Sequence, residues 1–166
     1  MIVLYPDPIL RRKCHAFSKF DREARITTKF LEKYLLDSKN GVGLAAPQIG
    51  KSGRIFAIKM PHLPIEFFIN PKIINVFKGK KVYPQMLKPD GGREDFLEGC
   101  LSFPNLYGTV KRWLKIKVEY QDKNLTKKKE VLKDFKAIVF QHERDHLDGI
   151  LFVDHIKEEK GKLYRE

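Results

Sequence analysis

The sequence predicts an α+β fold in which antiparallel β-sheets pack with a C-terminal helix, and three observations predict it. Strand-like runs follow one another from about residue 54 to about residue 132 through short turns. Helical spacing of apolar residues is confined to one segment before these runs and one after them. Strands joined by tight turns, with no helices alternating between them, pair antiparallel and disfavour a doubly wound sheet.

The elements follow in order. Pro6, Pro8 and the basic Arg11-Arg12-Lys13 keep the first stretch extended. From Asp21 to about Asp37, Ile26, Phe30, Leu31, Tyr34 and Leu35 recur at helical spacing, and Asp21 is the expected N-cap. Asn40 to Gly50 is rich in glycine and leads into strands over Arg54 to Lys59 and Ile65 to Asn70. The segment from Phe77 to Phe96 is rich in lysine and turn formers, and reads as an exposed loop centred on Lys78 to Arg93. A long strand is expected over Val110 to Tyr120, with Val110, Leu114, Ile116, Val118 and Tyr120 on one face. The turn Asp122-Lys123-Asn124 then returns the chain as a hairpin strand over Thr126 to Leu132. Asp134 caps the second helix, which runs to Leu147 and stops at Gly149. After Phe152 the sequence reads as a short charged tail.

Composition narrows the function. The chain has 166 residues, 42% of them hydrophobic, which suits one domain with a core of its own; intrinsic disorder is excluded. No repeat or composition break divides it, and residues 1–166 read as a single domain. No apolar run approaches the ~18 residues of a membrane span, so an intracellular protein is expected. Cys14 and Cys100 are too few for a disulfide framework and are free for thiolate chemistry. A net charge of +12 favours polyanionic neighbours without naming one. Small lysine clusters occur at Lys78, Lys80 and Lys81 and at Lys127, Lys128 and Lys129.

The second helix carries His142-Glu143-Arg144-Asp145-His146, an HExxH pattern. At about 100° per residue the two histidines lie about 40° apart around the axis and one turn from each other, so both rings reach one metal ion. Glu143 falls beside that ion, where a general base belongs. Phe135, Ile138 and Val139 share the helical face, and two ionisable rings on an apolar face are costly unless a metal or other polar partner satisfies them. Catalytic zinc-like centres use three protein ligands and leave a position for water. Position 152 is Phe, so the extended metzincin pattern is absent, and Cys100 in Glu98-Gly99-Cys100-Leu101-Ser102 is the best remaining donor. Arg112 and Asp145 are a candidate pair bracing the metal helix.

Three segments together resemble the peptide deformylase family: Gly41-Val42-Gly43-Leu44-Ala45-Ala46-Pro47-Gln48, Glu98-Gly99-Cys100-Leu101-Ser102 and Gln141-His142-Glu143-Arg144-Asp145-His146-Leu147. They occur in the family's order, and Tyr5-Pro6-Asp7-Pro8-Ile9-Leu10-Arg11 extends the likeness over nearly the whole chain. The resemblance implies sheets packed around a central C-terminal helix carrying HExxH. It implies a single catalytic domain over 1–166 that removes the N-formyl group from the formylmethionine of nascent polypeptides and releases formate. Cys100, His142 and His146 are then the metal ligands, and metal-bound water is the nucleophile. Glu143 is the general acid/base, while Gln48 and the Leu101 backbone N–H hold the oxyanion. The implied cofactor is one divalent metal ion, Fe2+ by resemblance; sulfur and nitrogen ligands also suit Zn2+, Ni2+ or Co2+. Val42, Gly43 and Gly99 are expected to pair with the peptide main chain. An apolar slot for methionine is expected from Val42, Phe135, Ile138 and Val139. Expected partners are nascent formylmethionyl peptides and, through the basic surface, the ribosome; no membrane contact is expected, and the expected state is a monomer. The compartment implied is a bacterial-type cytoplasm or an organelle that makes formylated proteins. The interval from Asn70-Pro71 to Glu98 is longer than in compact family members.

Two other readings compete. HExxH alone suits a metallopeptidase cutting internal peptide bonds, against which stand the cysteine ligand and Phe152. The charge suits an RNA- or ribosome-binding module with a structural metal, but such a centre takes four protein ligands.

Overall fold

The computed structural model describes residues 1–77 and 79–166; Lys78, in one lysine cluster and at the start of the expected loop, lies outside them. The first helix, α1 (Arg22–Asp37), begins where Asp21 accepts a hydrogen bond from the Ala24 N–H at 3.0 Å, as expected. Its buried face is Ala24, Thr27, Thr28, Leu31 and Leu35. Phe30 is instead exposed and stacks beside Tyr34.

Among the described residues ten strands form three antiparallel sheets: β1 (Gly43–Ala45), β2 (Ile55–Ile58), β3 (Glu66–Val76), β4 (Gln85–Leu87), β5 (Arg93–Asp95), β6 (Glu98–Cys100), β7 (Phe103–Gly108), β8 (Lys115–Gln121), β9 (Lys127–Lys133) and β10 (Leu163–Arg165). The main sheet has the order β1-β2-β3-β8-β9, a second has β10-β7-β6, and β4 pairs with β5. The expected hairpin is present, with Lys115 to Gln121 directly opposite Lys133 to Lys127. The long strand is shorter than expected. Arg112 makes only an isolated bridge to Val82, and Leu114 is 39% exposed, while Ile116, Val118 and Tyr120 are buried. The expected loop after residue 78 contains the hairpin β4–β5, whose turn closes with the Gly91 N–H donating to the Lys88 carbonyl. The N-terminal stretch is extended only in part, because Pro8–Arg11 forms a 3-10 turn capped by Asp7.

The second helix, α2 (Asp134–Leu147), is the structural centre. Lys133 is its N-cap and makes no side-chain cap bond, while Asp134 lies in the first turn with a positive φ and donates its N–H to the Leu114 carbonyl. At the other end Gly149 has φ +71, and a Cβ there would come within 2.3 Å of the Arg11 carbonyl oxygen. Glycine is therefore required both by the turn and by the close passage of the N-terminal segment. The short charged tail is in fact a third helix, α3 (Phe152–Glu159), which buries Phe152 and Ile156 before β10 closes the smaller sheet.

The core is held by an aromatic cluster. Phe140 of α2 meets Phe56 and Phe68 edge-on at 5.1 and 5.3 Å, and Phe68 also packs on Tyr120 at 4.6 Å. These pairs pin α2 to the inner face of the main sheet by large buried areas and favourable ring geometry. Leu31 and Leu35 of α1 pack with Ile55, Ala57 and Ile69 on the other face. Cys14 belongs to the core on the α2 side, and burial pushes its thiol up to about 11.

Phe140→Ala is expected to destabilise the protein by about 3–5 kcal/mol, read as a fall in Tm of roughly 6–20 °C for a chain of this size. Because its raised pKa leaves Cys14 protonated at pH 8, thiol titration of the folded protein is expected to detect Cys14 only after denaturant is added.

Candidate active site

Several segments converge on the C-terminal half of α2. The helix turn places His142 and His146 one above the other, with ring centroids 5.0 Å apart. Cys100 arrives at the end of β6, its Sγ 3.3 Å from His146 Nε2. One ligand atom from each of Cys100, His142 and His146 lies within 4.8 Å of the others.

The surroundings orient these atoms. Glu98, two residues before Cys100, accepts from Arg112 Nε at 2.7 Å and Nη2 at 3.0 Å, and its Oε2 lies 3.0 Å from His142 Nδ1. That contact engages Nδ1 and leaves Nε2 of His142 for a ligand. Arg112 Nη1 donates to Asp145 at 2.6 Å, and the same carboxylate oxygen is 2.8 Å from His155 Nε2 on α3. The expected Arg112–Asp145 pair is present as part of this larger chain. Burial alone would raise the Glu98 carboxyl, but Arg112 and His142 hold it down at about 2. Asp145 is likewise depressed against its own burial, by His155 and Arg112. Burial and then the neighbouring His142 keep His146 well below the usual imidazole range, at about 3, which leaves it neutral and able to ligate.

Glu143 is buried beside the cluster, and desolvation pushes its carboxyl up to about 7. Its Oε2 and Nδ1 of His146 are among the buried polar atoms without a protein partner in the described residues. A methyl group at Gly43 would lie 2.3 Å from Glu143 Oε1, so this glycine makes room for the carboxylate. The Gln48 carboxamide is anchored by its oxygen, which accepts from the Ala45 N–H at 2.9 Å. Its NH2 group points toward Cys100 Sγ at 3.4 Å and Ser102 Oγ at 3.3 Å. One thiol and two imidazoles, beside a buried carboxylate oxygen with no protein partner, fit a borderline divalent transition ion.

All of this opens into a cleft of about 530 Å³. Val42, Gly43, Gly99, Leu101, Phe135, Ile138 and Val139 line it together with Gln48, Cys100, His142 and Glu143, so every residue expected to contact substrate reaches one cavity. The sequence reading missed the roles of Glu98, Ser102 and His155. Strand alternation was the available signal for Glu98, since residues 98 and 100 share a side of β6. Phe96 was also missed; it follows the β4–β5 hairpin and meets Phe135 edge-on at the cleft wall, at 5.8 Å.

Comparison with known proteins bears on the family and the fold. The polypeptide deformylase family matches residues 1–162. A peptide deformylase from Desulfotalea psychrophila is 37% identical, covering 99% of this chain and 92% of that protein. The crystal structure of peptide deformylase from Thermus thermophilus superimposes with a TM-score of 0.80 at 38% identity, covering 96% of this chain and 86% of that one. The Thermotoga maritima enzyme does so with a TM-score of 0.79 at 34% identity, over 93% of this chain and 95% of that one. With family, relatives and fold in agreement over nearly its whole length, the chain belongs to the peptide deformylase family.

Proposed function

We propose that Cys100, His142 and His146 hold one divalent metal ion, that Glu143 is the general acid/base, and that Gln48 and the Leu101 backbone N–H receive the developing oxyanion during deformylation. Membership of the family makes the chain an enzyme that removes the formyl group from nascent peptides. The observation that carries the finer assignment is the position of Glu143, buried on the same cleft as Cys100 and His142 with one oxygen unpartnered.

Hydrolysis breaks the formyl C–N bond, forms a C–O bond from water, and gives formate and a free amine. When bound, the ion supplies Lewis acidity to the water and the formyl oxygen; Fe2+ is favoured by the family resemblance, with Zn2+, Ni2+ and Co2+ also suited to the donor set. Glu143 takes a proton from the attacking water and delivers it to the departing nitrogen. Gln48, held by Ala45, presents a neutral donor that needs no reorganisation as charge develops on the formyl oxygen. Val42, Gly43 and Gly99 offer main chain to the peptide, and the apolar wall of Val42, Phe135, Ile138 and Val139 takes the methionine side chain. The three-donor group among the described residues supports an open catalytic centre over a closed structural one.

The same reading treats residues 1–166 as one catalytic domain that works as a monomer on formylmethionyl peptides beside the ribosome, in a bacterial-type cytoplasm or an organelle that makes formylated proteins. No helix among the described residues is long and apolar enough to cross a membrane.

Formate release from a formyl-Met tripeptide by metal-loaded protein is the direct test. Glu143→Gln is expected to keep the metal and lose roughly 10²- to 10⁴-fold in kcat; an unchanged kcat would remove Glu143 from the reaction. Glu98→Gln is expected to weaken metal binding by about 10- to 100-fold, measured by competition with a chromogenic chelator.

A further inference from the structure

Strand alternation gives the main sheet two faces. Phe56, Phe68, Ile116, Val118 and Leu132 belong to the core around α2, whereas Ile55, Ala57 and Ile69 belong to the core around α1. Residues directly opposite each other share a face, so the register carries the α1 face across the sheet: Ile55 opposes Ile69, Ile69 opposes Gln121, and Gln121 opposes Lys127. α1 packs on β1 and β2, at one end. Toward the other end the same face carries Lys72, Lys115, Lys117, Lys127, Lys129 and Lys133, with Glu119 as the acid among these opposed pairs. Lys72, Lys127, Lys129 and Lys133 are exposed, and Lys115 and Lys117 are half-buried.

Lysines on an edge strand guard it against pairing with another chain, which accounts for those on β9. It does not account for Lys115 and Lys117, because β8 is flanked there by β3 on one side and β9 on the other. Same-face residues repeat every ~6.8 Å along a strand, and strands lie ~4.8 Å apart. The ammonium groups therefore form a two-dimensional array suited to a ligand that also presents charge over a surface. Phe77 lies under Lys115 of the array at 4.5 Å and Phe67 under the turn residue Lys123 at 4.3 Å, so lysines cover these rings and do not offer them to unpaired bases.

We propose that this outer face binds the phosphate backbone of double-stranded RNA without reading its sequence. Contacts to phosphate and ribose across the grooves require shape and positive charge, which the array supplies. The face looks away from α2, so the catalytic cleft stays open while RNA is bound. The inference deepens the proposed function, in which the chain works beside the ribosome, but its charge argument does not depend on the catalytic assignment.

The test is fluorescence anisotropy of a labelled mixed-sequence RNA duplex with the metal-loaded full chain, titrated at several salt concentrations. The triple variant Lys127→Gln, Lys129→Gln, Lys133→Gln is expected to weaken binding at least tenfold and to lower the log–log salt slope by about two to three. Lys72→Gln with Lys117→Gln is expected to weaken it in the same direction without touching the edge strand. A control triple, Lys29→Gln, Lys33→Gln, Lys157→Gln, lowers the net charge equally and is expected to bind as the parent does. Formate release should be unchanged in all three, which keeps failure here distinct from failure of the catalytic reading. Equal weakening by the control, no duplex binding at low salt, equally tight binding of single-stranded RNA, or preference for phosphatidylserine vesicles over the duplex would each overturn the proposal.

Discussion

The buried Arg112 guanidinium is the constraint on which the site depends. It is 1% exposed and meets Glu98 through two nitrogens and Asp145 through a third. Removing ions from water costs several kcal/mol each, so such a network adds little net stability compared with apolar packing, and its main consequence is positional. From one point it ties together β6, α2 and, through Asp145 and His155, α3. It also keeps two buried carboxylates ionised against their desolvation, and one of these orients the His142 ring. Deleting any member would leave an uncompensated charge in the interior, so the geometry of the Cys100, His142 and His146 group and the integrity of the core are coupled.

The helix that carries the chemistry is buried on nearly every side, an unusual demand for a segment containing Gln141, His142, Glu143, Asp145 and His146. The demand is met by giving its faces different partners. Phe140 faces the aromatic cluster of the sheet, and Gln141 receives the Trp113 N–H and donates to the Trp113 and Ala137 carbonyls. Asp145 faces Arg112. His142, Glu143 and His146 are left on the side where Cys100 arrives. Polar groups with fixed partners thus surround the few whose buried atoms lack one, and a bound ion and water would complete the set.

How much was legible in the sequence follows from the range of the forces involved. α1, the β8–β9 hairpin and the HExxH helix are set by local periodicity and turn chemistry, and Asp21, Asp122 and Gly149 act where they stand. The Cys100, His142 and His146 grouping and the residues expected to line the cleft were also legible, through short motifs and, for Phe135, Ile138 and Val139, through the helical face. What failed depended on long-range contacts. Asp134 looks like a helix cap, but its N–H is engaged by the Leu114 carbonyl and its φ is positive, which moves the cap to Lys133. The charged residues of 153–159 conceal a helix because its apolar anchors are few, chiefly Phe152 and Ile156 against a core shared with Leu10, Phe103 and Val110, and its His155–Asp145 contact is long-range. The hairpin after residue 84 was hidden by the turn formers that make it, which signal a turn without saying whether the flanks pair.

Gly43 joins these scales. On the sequence it is an ordinary loop glycine expected to let substrate approach, and it does line the cleft. In the structure its missing Cβ is also the space occupied by the Glu143 carboxylate. The edge strand β1 therefore passes so close to α2 that the buried Glu143 carboxylate and the main chain lining the cleft are positioned by the same contact. That closeness is possible because β1 is held from its other side by β2, whose alternate residues bind α1 on one face and the Phe140 cluster on the other. The alternation that sets β1 against α2 also directs Lys115 and Lys117 of β8 and Lys127, Lys129 and Lys133 of β9 to the opposite surface. The chemistry and the proposed docking face are thus separated by the period-2 geometry of a single sheet.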